Sequence, residues 1–191
     1  MQDIFGLEPN TNVPADSSYI KSYEAIRTYF SERDVLSGAD VIRGSHMVYG
    51  WMPTILDLYS EPPNISAEGA ATILNGVKET GVITDDNLGK LVLLINNSLV
   101  GASKLLHFIS PETFPIWDPR IYSFVYDKKP YGYNVSKLKN YRTYMEKLSG
   151  LQVDERFPEF YQSVKDKVGY DVSKVRTIEL VMFLNAPGWS S

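Results

Sequence analysis

Residues 93–126 read LLINNSLVGASKLLHFISPETFPIWDPRIYSFVY, and the parsing of that stretch decides the fold. An apolar run closes at Asn96 and Asn97, residue types that favour turns and helix ends. Gly101 permits a tight turn, and Ser103, Lys104, Leu105, Leu106 and Phe108 then fit a second helix. The stretch therefore predicts helix, short hairpin, helix. Amides at the start of the second helix have no partner within it and suit an anion such as a phosphate. Pro111, Phe114 and Pro115 form a stiff connection that delivers Asp118 to the start of a further helix. Pro119 then stands at a first helical position, where proline is tolerated.

Outside this segment the helical period recurs. Ser17 and Ser18 are placed to cap a helix running to Arg33, with Ile20, Tyr23, Ile26, Tyr29 and Phe30 at helical spacing. A second helix is expected from about His46 to Tyr59, stopped by Pro62 and Pro63. Ser66 caps an alanine-rich helix that ends at Gly81, and Asp85 and Asp86 read as capping carboxylates. Asn134, Asp154 and Ser173 each precede a periodic segment, and Pro187, Gly188 and Trp189 break the last helix. No alternating run is long enough for a sheet. The expected fold is all-α: one domain over residues 1–191, a compact bundle of about eight or nine short helices containing a helix-hairpin-helix motif.

Composition narrows the chemistry. The 191 residues include no cysteine, which removes disulfides, thiolate metal sites and cysteine nucleophiles together. With only His46 and His107, no histidine-based zinc site is expected, and no Gly-rich phosphate loop or G-x-S-x-G elbow implies a cofactor or a serine hydrolase. Met1 to Asn10 lacks the basic and apolar parts of a signal peptide, and no apolar run is long enough to span a bilayer. A cytoplasmic protein with no membrane partner is expected. The net charge of −4 opposes nucleic-acid binding, but it is unevenly spread. Residues 1–62 hold four Lys or Arg against nine Asp or Glu, whereas residues 128–147 hold six against Glu146 alone. Tyr131, Tyr133, Tyr141 and Tyr144 lie in that basic stretch and suit either base stacking or, for Tyr141 and Tyr144 on one helix face, a core. Val48-Tyr49-Gly50-Trp51-Met52-Pro53 is a second aromatic stretch, for which core packing is the default.

The 93–126 segment resembles the helix-hairpin-helix DNA glycosylases, the superfamily of the 8-oxoguanine and endonuclease III enzymes. Leu99-Val100-Gly101-Ala102-Ser103-Lys104 is similar to their L-P-G-V-G-x-K-x-A hairpin. Phe114-Pro115-Ile116-Trp117-Asp118-Pro119-Arg120-Ile121 is similar to their Pro-Val-Asp-x-His/Arg-Val segment. Leu99 replaces the hairpin's first glycine, and the span from Gly101 to Asp118 is about one helical turn shorter. Aligned on Gly101, Ser103 takes the place of the lysine of bifunctional members; moved by one residue, Lys104 takes it and Ala102 stands at the glycine. One residue turns a side chain by roughly 100° about a helix axis, so the two alignments are not equivalent.

The resemblance implies a DNA glycosylase, with AP lyase activity where the lysine is used, acting on duplex DNA that carries a damaged or modified base. It implies a base rotated out of the duplex, Asp118 as the catalytic carboxylate and Lys104 as the amine nucleophile. Leu99, Gly101, Ser103 and Arg120, with Lys128 and Lys129 of the basic stretch, become DNA contacts, and Trp117, His107 and Tyr122 the lining of a base pocket. It implies no metal and no cofactor. Each residue also has a plainer reading: Asp118 as a helix cap, Lys104 as a surface lysine, His107 as a satisfied interior histidine. The rival functions are a non-catalytic helix-hairpin-helix domain that binds nucleic acid or a protein, and an unrelated helical interaction protein. An enzyme should show a hollow with Asp118 on its wall and the hairpin amides at its rim; a binder would lack the hollow but keep the positive face; an unrelated protein would bury Asp118 in a cap with no free hairpin.

Overall fold

Serine and threonine side chains start most of the long helices. In the computed structural model, which describes residues 1–51, 56–58 and 65–188, the order is α1 (Ile4–Leu7), a 3-10 turn (Glu8–Asn10), α2 (Ser18–Ser31), α3 (Gly38–Trp51), α4 (Ala67–Thr80) and α5 (Asp85–Leu94). The chain continues with α6 (Leu99–Ile109), α7 (Pro119–Tyr126), α8 (Gly132–Val135), α9 (Leu138–Gln152), α10 (Phe157–Val168) and α11 (Lys174–Leu184). Ser17, Ser66, Thr84, Ser98 and Ser173 each accept an amide three residues on, satisfying one orphan donor of α2, α4, α5, α6 and α11. Gly81 ends α4 in the left-handed region at φ 67°, where a side chain would be strained. All of the regular elements among the described residues are helical, and nine of the helices have eight residues or more.

One boundary differs from expectation. The second long helix starts at Gly38, not near His46, because Ser37 and Asp40 form a reciprocal cap: Asp40 Oδ2 accepts the Ser37 amide at 3.0 Å and Ser37 Oγ accepts the Asp40 amide at 3.2 Å. It is described as far as Trp51; Met52, Pro53, Tyr59, Pro62, Pro63 and Trp189 lie outside the described residues. Leu58 makes an isolated antiparallel bridge to Ile95. Asp85 and Asp86, expected as capping carboxylates, occupy the first turn of α5, where the helix dipole favours acids, and Thr84 is the cap.

Two helices form the interior. α6 is packed by α2, α3, α4 and α5, and α11 by α1, α7, α9 and α10. Every residue of α6 is buried except Val100 and Lys104, and Val175 to Met182 of α11 are all buried. Helices buried on all sides are normally apolar throughout. The charged residues they carry, Lys104, Arg176 and Glu179, are therefore the exceptions that require a reason. Among the described residues no helix is long and apolar enough to cross a membrane.

Candidate functional site

The turn between α5 and α6 is made by its asparagines. Asn96 and Asn97 have φ of 55° and 48°, a left-handed conformation that asparagine tolerates. Ser98 Oγ then accepts the Gly101 amide at 3.1 Å. Gly101, expected to relax the turn, lies inside α6, and its role is close approach. A Cβ there would meet Tyr49 Oη at 2.1 Å and Ile95 Cγ2 at 2.8 Å. Gly101→Ala is expected to destabilise the protein by about 1–3 kcal/mol in chemical denaturation, as overpacking does. Adding Tyr49→Phe should restore part of that loss, because it removes the nearest atom; no rescue would place the strain at Ile95.

A buried clamp holds the connection to α7. Ser103 Oγ accepts the Trp117 amide at 3.0 Å and donates to the Val100 carbonyl at 2.9 Å, and Ser103 is fully buried. The Trp117 indole is also buried and donates to the Val135 carbonyl at 2.8 Å. His107 Nδ1 donates to the Phe114 carbonyl at 2.7 Å, which leaves Nε2 to accept the Tyr23 hydroxyl at 2.7 Å. Burial, followed by the Arg176 charge, pushes His107 down to about 3, so the ring is neutral. Trp117, His107, Leu99, Ser103 and Tyr122 are thus interior residues that frame the site. Their apolar neighbours on several helices bury them, which a short segment read alone does not reveal.

Asp118 caps α7. Its Oδ1 accepts the Ile121 amide at 2.9 Å, and the residue is 7% exposed. Lys104 is partly buried and makes no hydrogen bond or ion pair with another described residue. Burial lowers its pKa below the ordinary lysine value, while the Asp118 and Glu179 charges oppose that shift. Ser103 and Lys104, adjacent in sequence, therefore have different surroundings. Ser103 is tied to the Trp117 backbone, and Lys104 is the residue whose charge interacts with that of Asp118.

Behind this pair lies a buried ion pair that the residue pattern alone did not bring out. Arg176 Nη1 donates to Glu179 Oε2, and both side chains are almost completely excluded from solvent. The Arg176 guanidinium lies 4.9 Å from the Tyr23 ring centroid, 5.4 Å from Tyr19 and 5.8 Å from Trp51. Arg176 Nε and Nη2, Glu179 Oε1 and Tyr144 Oη have no partner among the described residues. Burial pushes Glu179 up to about 7 against the pull of Arg176, with Asp118 raising it and Lys104 lowering it. Lys104, Asp118, Arg176 and Glu179 form one electrostatic group. The signal that could have found the pair is an arginine and a glutamate three residues apart inside an apolar helix.

The chain matches no known protein family, no curated protein and no solved structure. The site therefore stands on its own geometry. On the outer surface, Arg120, Lys128 and Lys129 are exposed, with the Arg120 guanidinium 4.6 Å from the Phe183 ring centroid. A hollow of about 260 Å³ separates Asn97 to Val100 from Pro130, Gly132 and Val135, with Pro119 on its wall. A neighbouring hollow of about 410 Å³ shares Pro119 and Pro130 and adds Arg120. The start of α6, the start of α7 and the basic loop thus meet on one face. Neither hollow is lined by Asp118 or Lys104.

Proposed function

We propose that this protein excises a base from DNA, with Lys104 as the attacking amine and Asp118 as the carboxylate that steadies the sugar as it becomes cationic. The observation that carries this reading is Lys104: a partly buried amine on an interior helix, unpaired among the described residues, shifted toward its neutral form by burial and set against the Asp118 charge. A neutral amine is what nucleophilic attack at the anomeric carbon of the sugar requires. The base leaves with the bonding electrons, the amine nitrogen becomes bonded to that carbon, and sugar-ring opening gives a Schiff base. A carboxylate held by a helix amide is suited to stabilise the charge developing between these states. The exposed Arg120, Lys128 and Lys129, beside the start of α6, supply phosphate contacts.

The second reading, a non-catalytic nucleic-acid-binding domain, draws on the closure of the site, since the two hollows at its rim do not reach Lys104 or Asp118. One experiment separates the two. The protein is incubated with labelled duplexes bearing 8-oxoguanine, uracil, alkylated bases or an abasic site, with and without borohydride. Strand cleavage with a trapped covalent adduct supports the glycosylase. Salt-sensitive retention without cleavage supports the binder. Neither result, on any duplex, removes both and turns attention to protein partners.

A further inference from the structure

Two of the four tyrosines in the basic stretch are not core. Tyr141 and Tyr144 are fully buried in α9, but Tyr131 and Tyr133 are 52% and 65% exposed. Their rings stack on each other with centroids 6.0 Å apart and planes 19° from parallel. Lys129 Nζ lies 5.9 Å from the Tyr131 ring centroid, and Lys137 Nζ 5.1 Å from that of Tyr133. Lys128 and Lys139 are exposed in the same segment, and residues 128–139 contain no acid. Among the described residues none of these four ammonium groups has an ion-pair partner, and only Lys137 hydrogen-bonds through Nζ, to Asn134 Oδ1 at 3.2 Å.

We propose that Tyr131 and Tyr133 form a stacking platform for unpaired nucleotides of single-stranded DNA, with Lys128, Lys129, Lys137 and Lys139 holding the phosphates. Aromatic faces bind bases regardless of sequence, because every base has a π-face, and lysines track the backbone. Bases inside a duplex are already stacked on one another and cannot offer those faces, so the occupant is a strand with free bases. The lysine stems are flexible, and an ammonium displaced from above a ring by a base stays within reach of the adjoining phosphate. Position supports the same occupant: Pro130 and Gly132, which bracket Tyr131, line the hollow whose other wall is the start of α6. A strand laid on the platform is led to the hollow that has Pro119, at the start of α7, on its wall. The proposal rests on the nucleic-acid reading above, but not on the chemistry at Lys104.

The test measures anisotropy of a fluorescein-labelled oligothymidylate against increasing salt, beside a hairpin duplex of equal length. The intact protein is expected to bind the single strand more tightly than the duplex. Tyr131→Ala with Tyr133→Ala should weaken single-strand binding roughly tenfold or more without changing the salt slope. Lys129→Ala with Lys137→Ala should instead flatten that slope, by about 0.7 for each phosphate that the variant no longer neutralises. The platform is overturned by a tyrosine variant that binds like wild type, by equal or tighter duplex binding, by preference for oligouridylate, or by poly-glutamate competing as well as oligothymidylate. A trapped adduct with no tyrosine-dependent strand binding removes the platform and leaves the active-site reading intact. Tyrosine-dependent binding with no adduct does the reverse.

Discussion

Lys104→Ala is expected to abolish the borohydride-trapped adduct, because no other described lysine is interior and set against the Asp118 charge. Lys104→Arg provides the control. It keeps a cation at the position but cannot form a Schiff base, since the guanidinium remains protonated. If the lysine served only as a positive charge, arginine would restore activity; as a nucleophile, it should not. Adduct yield from wild type should rise with pH, with a midpoint below the ordinary lysine value, because burial favours the neutral amine. Asp118→Asn separates the carboxylate's two roles. Asparagine caps a helix about as well as aspartate, so unfolding should shift little, yet excision should fall by roughly 10²–10³-fold once the charge is removed. Undiminished adduct in Lys104→Ala would assign the amine elsewhere, and normal excision by Asp118→Asn would leave Asp118 as a cap alone.

The second large effect lies in α11. Arg176→Met is expected to lower stability by about 3–5 kcal/mol at neutral pH, because it strips a buried carboxyl of its counter-ion and hydrogen-bond donor. In a protein of this size that corresponds to a fall in Tm of roughly 6–20 °C. The penalty should depend on pH. Glu179 is raised from its ordinary 4.5 to about 7, so the folded chain holds that proton more firmly than the unfolded chain does. Its stabilising contribution is present in full below about pH 4.5 and is lost as pH rises through about 7. Removing Arg176 raises the folded value further, so wild type and variant both hold the proton below about pH 7, and the Arg176→Met deficit should widen as pH rises above about 7. His107 contributes with opposite sign: lowered from 6.5 to about 3, it favours the folded state above pH 6.5 and disfavours it as pH falls. Arg176 itself helps lower His107, so variant and wild type are compared well above pH 6.5, where His107 is neutral in the folded and unfolded chain alike. Arg176→Met with Glu179→Met should recover most of the loss, as apolar replacements of buried ion pairs do. A deficit that is flat with pH, or a double variant no better than the single, would refute uncompensated charge as the cause.

Much of the architecture was legible because helix starts and stops are local. Ser17, Ser66 and Ser173 cap through amides three residues away, and Gly81 closes α4 with its own φ, so each could be read from a few neighbouring letters. Asp118 before Pro119 was legible for the same reason. The Ser37-to-Asp40 cap is equally local, but the aromatic run from Val48 draws the expected helix boundary toward itself. Gly101 shows the opposite case. Its neighbours in sequence suggest a turn, but the constraint comes from Tyr49, a residue on a different helix.

The site divides along the same line. By itself the sequence determined an all-helical chain, a turn at Asn96 and Asn97, a capping aspartate at 118 and a basic stretch beyond it, since all of these follow from spacing along the chain. Only the tertiary structure decided that Ser103 is a clamp while Lys104 meets the Asp118 charge, that Tyr141 and Tyr144 are core while Tyr131 and Tyr133 are exposed, and that Arg176 lies among aromatic rings while paired with Glu179. The physical reason is that burial, desolvation and charge interaction depend on distance in space. Packing α6 against α2 and α3, and α11 against α7, brings together residues that are far apart along the chain.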